Sequence, residues 1–154
     1  MSAQLKPAHL LRPMQFSDLD AVMAIEPYIY SHPWTRGNFA DSLNAGHSAW
    51  VLESGKEIIG YALMLLVLDE AQLLNISVAK NHQKQGWGRV VLEHMIAKAR
   101  HYKASNMFLE VRPSNISAIA LYENSGFNEM SIRRKYYPAV NGGREDAILM
   151  GLAL

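Results

Sequence analysis

The stretch Gln83-Lys84-Gln85-Gly86-Trp87-Gly88-Arg89 constrains this chain most, because it is a glycine-punctuated loop between segments of different period. Before it, Leu73-Leu74-Asn75-Ile76-Ser77-Val78 alternates as a strand does; after it, Val91, Leu92, Met95, Ile96 and Ala99 recur at helical spacing. A strand that turns sharply into a helix gathers backbone N–H groups at the helix start, where the dipole adds positive potential. Gly86 and Gly88 let the backbone turn with those groups inward. Lys84 and Arg89 add cations at either end. The pattern predicts a cradle for a pyrophosphate. Two common cradles are excluded: no Gly-Lys-Ser/Thr occurs in the chain, and the Gly-x-Gly lacks the third glycine of the dinucleotide fingerprint.

With 154 residues, 49% apolar and 19% charged, the chain is long and apolar enough for one folded domain over 1–154. A formal charge of +1 argues against a general polyanion binder, so no direct nucleic-acid partner is expected. The longest apolar run, residues 61–68, is far too short for a bilayer, and the N-terminus lacks the layout of a secretion signal. Cytoplasm, no membrane contact and a monomer, with at most transient protein partners, are the expectations. The six histidines show no ligand spacing, so no metal is expected. The eight methionines read as core filler.

Residues 9–12 read as a first strand. Asp18 caps a helix with Leu19, Val22, Met23 and Ile29 on its apolar face, Glu26 being the exception on that stripe. Trp34-Thr35 starts a second helix that ends near Gly46. Residues 48–53 and 57–68 are strands joined by Ser54-Gly55-Lys56, and 71–78 is a third. The helix after the glycine loop runs to about Tyr102, followed by a strand at 107–111. Pro113-Ser114-Asn115 opens another helix that stops at Ser125-Gly126. Two closing strands, 127–137 and 145–152, flank Asn141-Gly142-Gly143. A meander, two strand–helix–strand units and a hairpin make an α/β chain with a central mixed sheet.

With that order in hand, the chain resembles the GCN5-related N-acetyltransferases, whose coenzyme loop Gln/Arg-x-x-Gly-x-Gly/Ala is matched by Gln83, Gly86 and Gly88. Within that superfamily it is most similar to the bacterial ribosomal-protein-alanine N-acetyltransferase group. Collinear blocks carry the likeness: Asp69-Glu70-Ala71, Asn75-Ile76-Ser77-Val78, Leu109-Glu110-Val111-Arg112, Ala120-Leu121-Tyr122-Glu123, Gly126-Phe127, Ile132 to Pro138 and Gly143 to Ala147. The resemblance implies about seven strands, about four helices, and two parallel central strands that splay after Val78 and Val111. It implies acetyl-coenzyme A as co-substrate, held by backbone near Ile76, Ser77 and Val78, by amides of Lys84, Gln85, Gly86, Trp87, Gly88 and Arg89, and by Asn115. It implies a ribosomal-protein N-terminus as acceptor, the N-terminal alanine of the small-subunit protein numbered eighteen. Trp87 stands where a smaller aliphatic residue is commoner and could meet the adenine or ribose edge.

Acetyl transfer to an amine needs a neutral nucleophile, a polarised carbonyl and a proton for the departing sulfur. Without cysteine no acyl-thiol relay can form, and no Gly-x-Ser-x-Gly elbow offers a serine relay, so attack is direct. Glu110 interrupts the apolar run of Met107 to Val111, where partial burial would move its carboxyl towards neutrality. It is the general base that the resemblance implies; a structural carboxylate paired with Arg112 or Lys103 is the other reading. Tyr122 follows Asn115 by seven residues, within about 20° of the same helix face. It is the candidate acid, against a tyrosine packed beneath the sheet. The strand backbone near Ser77 or Val78 would polarise the carbonyl. The run Arg133-Arg134-Lys135-Tyr136-Tyr137-Pro138 reads as a solvated edge, an RNA or ribosome contact, or, on the resemblance, a wall of the peptide channel with Tyr136 and Tyr137 facing substrate. Tyr28, Trp34 and Glu70 would line its other side. The rivals are an acetyltransferase for lysine side chains or small amines, and a non-catalytic acetyl-coenzyme A-binding module.

Overall fold

A computed structural model describes residues 8–154. The one-domain expectation over 1–154 and the absence of a signal both reach into residues 1–7, which lie outside the described residues. Among the latter, seven strands form one sheet: β1 (His9–Pro13), β2 (Ser48–Ser54), β3 (Glu57–Val67), β4 (Glu70–Val78), β5 (Asn106–Val111), β6 (Asn128–Pro138) and β7 (Arg144–Ala153). The order is β1-β2-β3-β4-β5-β7-β6, antiparallel throughout except between β4 and β5. Helices α1 (Leu19–Met23), α2 (Glu26–Ile29) and α3 (Arg36–Asn44) lie over one face; α4 (Trp87–His101) and α5 (Ile116–Asn124) lie over the other. This is the mixed α/β sheet expected from sequence. The closing hairpin inserts β7 between β5 and β6, so the second strand–helix–strand unit does not pair its own strands.

The first expected helix is divided. A short 3-10 turn (Phe16–Asp18) precedes α1, and α2 starts afresh at Glu26. Pro27 has no N–H to donate to Met23, and its ring would crowd that carbonyl, so the helix ends there. Asp18 is not a cap for a long helix. It accepts from the Gln15 backbone N–H at 2.7 Å and, bidentately, from Arg12 at 2.8 and 2.9 Å. Arg12 also donates to Glu53 on β2, so one guanidinium ties β1, β2 and the helical layer together. Elsewhere the expected punctuation stands: Thr35 and Asn38 form a capping box for α3, Asn115 caps α5, and Gly126 closes it with φ 101°.

Two cores sandwich the sheet. Val91, Leu92, Met95 and Ala99 of α4 pack on Met64, Leu73, Met107 and Leu109; Leu19, Val22 and Phe39 pack on Val51, Tyr61 and Leu63. β4 takes part in both. Leu63 faces Asn75 and Met64 faces Leu73, which leaves Leu74 as an extra residue in β4. Such a bulge puts two consecutive side chains on one face. Leu73 therefore belongs to the α4 side, and Leu74, Asn75 and Ser77 turn towards α2. At the same place β4 loses β5. The parallel ladder holds Glu70 to Asn106, Ala71 to Met107 and Gln72 to Phe108, and then stops.

Gly60 sits where β3 presses closest on β4: a Cβ there would lie 2.9 Å from the Ser77 carbonyl oxygen. Gly60→Ala should cost about 1–3 kcal/mol, seen as a lower urea midpoint. Gly37→Ala, in α3 with only an ordinary contact at 3.6 Å, should raise it by about 0.5 kcal/mol. Equal midpoints for the two variants would contradict this packing. The Arg12 guanidinium, first among the causes, holds the Asp18 carboxyl below the usual carboxylate range. A depressed folded-state value contributes stability that is complete above the unfolded value of about 3.9 and is lost as pH falls through the folded value. Asp18→Asn should therefore lower stability at neutral pH and flatten the acid side of a melting-versus-pH curve.

Candidate active site

The gap between β4 and β5 opens into two adjoining cavities. One, of about 410 Å³, runs from Ile76 and Val78 past Gln83, Lys84, Gly86 and Arg89 to α5. That is within the range of about 300–1,000 Å³ usual for small-ligand sites. The other lies between the segment from α2 to α3 and the ends of β5 and β6, with Glu26, His32, Trp34, Glu110 and Tyr137 on its walls. Tyr30, Ile76, Asn115 and Tyr122 line both and mark their junction.

The glycine loop is built on Gly86, which has φ 90° and immediately precedes α4. Lys84, at φ 61°, supplies the second left-handed residue. Gly88 does not turn the chain. It is inside α4, where it lines the cavity, and a Cβ there would meet Leu121 Cδ2 at an ordinary 3.4 Å. Gln83 donates from its side-chain amide to the Val78 carbonyl at 3.0 Å, pinning the loop to the strand end. Trp87 is turned away from the cavity: its ring meets His9 edge-on at 5.2 Å and packs on the core. Neither Gln85 nor Trp87 lines the cavity. Arg89 lines it and pairs with Glu93 at 3.0 Å.

Along β4 the Ile76 carbonyl accepts from the Tyr30 hydroxyl at 2.6 Å and the Val78 carbonyl from Gln83. Both therefore face the gap and not β3. Because successive peptide groups alternate in direction, those of Ser77 face β3. The Ser77 hydroxyl is buried and donates to Asn75 Oδ1 at 2.7 Å. Asn115 caps α5 through Oδ1, accepting from the Ala118 N–H at 3.3 Å, which leaves its amide N–H groups for the junction. Open strand edge, left-handed loop, helix start and two cations together fit an extended amide chain that ends in a diphosphate. Among the described residues no group of three or more His, Asp or Glu gathers as a metal site.

Glu110 sits on β5 between the buried Leu109 and Val111, with its side chain 14% exposed. Its ion-pair partner is Arg133 of β6 at 3.4 Å, not Arg112 or Lys103. Arg112 instead holds Glu145 at 3.2 Å and the Pro138 carbonyl, and stacks on Tyr137 at 4.3 Å. Tyr122 has its ring against Phe127 at 5.8 Å, yet it reaches both cavities. Burial first, then nearby Tyr30 and Tyr137, push its pKa up, so its proton is held firmly at neutral pH. Tyr137 lines the second cavity and is pushed up to about 12, by burial first and then by Glu110. Tyr136 stands outside, 44% exposed, edge-on to Tyr137 and beneath Arg133. Trp34 lines the second cavity. Tyr28, 74% exposed, does not, nor does Glu70 at the paired end of β4.

Two residues of the site escaped the sequence reading. Glu26 is buried and accepts from the Tyr61 hydroxyl at 2.7 Å, the Asn75 amide at 3.2 Å and the Trp34 backbone N–H at 3.0 Å. Tyr30 holds the Ile76 carbonyl, lies 3.1 Å from Ser77 Oγ and is pushed up to about 12 by burial. A carboxylate breaking an apolar stripe just before a proline was the available signal for Glu26. None marked Tyr30.

The sequence profile described as the Acetyltransferase (GNAT) family matches residues 15–127. The chain is 42% identical over 141 residues to the [Ribosomal protein bS18]-alanine N-acetyltransferase of Escherichia coli K12, covering 92% of this chain and 95% of the relative. It is 35% identical over 145 residues to the protein of the same name from Haemophilus influenzae, covering 94% and 99%. The crystal structure of the Escherichia coli ribosomal-protein-S18-alanine N-acetyltransferase superposes with a TM-score of 0.89 at 40% identity, over 95% of this chain and 94% of that one. A splayed sheet with an acyl-carrier cleft, a family profile over most of the chain and relatives this close lead to one conclusion: the chain belongs to the GNAT family of acetyltransferases.

Proposed function

We propose that this chain transfers an acetyl group from acetyl-coenzyme A to the α-amine of a protein N-terminus. Its acceptor on this reading is the N-terminal alanine of ribosomal protein bS18, the substrate named for its relatives, and the reaction takes place in the cytoplasm. One observation carries it: Glu110 and Tyr122 approach the same gap, which opens because the β4–β5 ladder stops after its third pair.

Acetyl-coenzyme A, when bound, supplies a thioester carbonyl as electrophile. The Ile76 and Val78 backbone holds the amide arm as an added strand would, and the loop amides that reach the cavity, at Lys84, Gly86, Gly88 and Arg89, hold the diphosphate with both cations. Trp34 and Tyr137 wall the acceptor. A free α-amine has a reference pKa of about 7.7–8.0, so a weak base near neutrality is sufficient to remove its proton. Glu110 takes that proton, directly or through one water. Tyr122 keeps its own proton at the hydroxyl until sulfur leaves, then gives it up.

Incubation with acetyl-coenzyme A and a panel of N-terminal peptides should give a mass gain at the first amine of an alanine-initiated peptide; modification confined to internal lysines would refute the acceptor assignment. Glu110→Gln should lower kcat by about 10²–10⁴-fold with coenzyme affinity retained. Tyr122→Phe should lower turnover far more than it weakens coenzyme binding, and unchanged turnover would remove Tyr122 from the mechanism.

A further inference from the structure

The acceptor cavity holds two carboxylates in different circumstances. Glu110 has a cation at 3.4 Å, and Arg112 beside it is spent on Glu145. Glu26 has none: among the described residues no Lys, Arg or His lies within 4.0 Å of its oxygens. Three donors converge on it, the Tyr61 hydroxyl, the Asn75 amide and the Trp34 N–H, and it donates to nothing. The orientation of Asn75 is fixed independently, because its oxygen accepts from Ser77. The Trp34 N–H and the Asn75 amide can only donate, so the site is built around an acceptor. A buried anion without a counter-cation is costly, and neutral donors offset only part of that cost. The residue is 1% exposed, yet it borders the cavity that would receive an amine.

We propose that Glu26 reads the charge of the acceptor: its carboxylate attracts the incoming α-ammonium into the cavity, where Glu110 then takes the proton. The inference rests on the acetyltransferase reading above and adds a division of labour to it. Glu110 is paired and close to the gap, suited to exchanging a proton. Glu26 is locked by three hydrogen bonds and serves as a fixed charge. By holding the Trp34 N–H it also sets the wall of the cavity formed by the segment between α2 and α3. Glu26 is therefore a specificity-determining residue that acts through its field. The titratable and charged groups around it are Tyr61 from β3, Tyr30 and His32 after α2, Glu110 and Arg112 at the end of β5, Tyr122 from α5 and Tyr137 from β6.

The test uses the full chain with coenzyme A bound and two competing ligands: an alanine-initiated peptide and its analogue with hydrogen in place of the α-amine. In the Glu110→Gln background, where the other carboxylate is neutral, the amine peptide should bind at least roughly tenfold more tightly than the analogue at pH 7.0, and the ratio should collapse at pH 9.5 as the amine loses its charge. Adding Glu26→Gln should abolish the ratio at pH 7.0 while binding of the analogue stays within about twofold. Equal binding of the two peptides to Glu110→Gln at pH 7.0 would overturn the proposal, and that measurement needs no change at Glu26. So would a folded Glu26→Gln variant that keeps the ratio. If the wild-type chain acetylates no α-amine at all, the acetyltransferase reading fails instead.

Discussion

Everything functional in this molecule follows from a parallel ladder that stops after three residue pairs. A sheet in which β4 and β5 stayed paired would be more stable locally, because each lost pair exposes strand N–H and C=O groups that must find other partners. The Leu74 bulge supplies the turn-out, and the buried polar residues on β4 supply the pull. Asn75 and Ser77 on the α2 side bond to Glu26, Tyr30 and each other, and these bonds can form only if β4 keeps the course set by the bulge. The gap is thus held open by hydrogen bonds on one side and by the α4–α5 core on the other.

The stretch from Glu26 to Ile76 is a continuous polar path through an otherwise apolar layer. It runs from the Glu26 carboxylate to Asn75, then Ser77, then Tyr30, and ends on the Ile76 carbonyl at the gap. Buried polar networks are worth little to stability unless every member is satisfied. Here two hydroxyl protons serve three contacts: Tyr30 donates to Ile76, Ser77 donates to Asn75, and the 3.1 Å approach between the two oxygens has no proton of its own. The Tyr30 O–H can rotate to donate to Ser77 Oγ if an amide donor takes the Ile76 carbonyl. The chain keeps that acceptor satisfied with and without a guest on the strand edge.

Much of this was legible in the sequence, and for identifiable reasons. Elements with strong punctuation, such as the Gly55-Lys56 turn, the Thr35 and Asn115 caps and the Gly86 loop, form where local geometry dictates. Glu110 was legible because a carboxylate in an apolar strand is conspicuous. What was not legible depended on facts with no local mark. Gly88 looks like a second turn glycine, and only the structure shows that it lies inside α4. For Trp87 the sequence left a nucleotide contact open, and the ring meets His9, far away in sequence, edge-on. The partner of Glu110 could not be read from neighbours on its own strand, because a cross-sheet register set by the irregular β6–β7 pairing brings Arg133 to it.

That register has a consequence for the chemistry proposed above. Arg133 is 56% exposed and its guanidinium also faces the Tyr136 ring at 5.3 Å, so it has an alternative resting place in water. An ion pair with one partner this exposed is worth at most about 0–1 kcal/mol after screening. A base locked in a strong buried pair would have to break that pair before accepting a proton, and the cost would enter the barrier. On the reading proposed above, Glu110 avoids this because its partner is cheaply displaced. Glu26, by contrast, is bound by three groups that have nowhere else to go. Two carboxylates on one cavity therefore differ chiefly in how easily their partners leave, and on the proposed division of labour that difference separates a group that exchanges protons from one that holds a fixed charge.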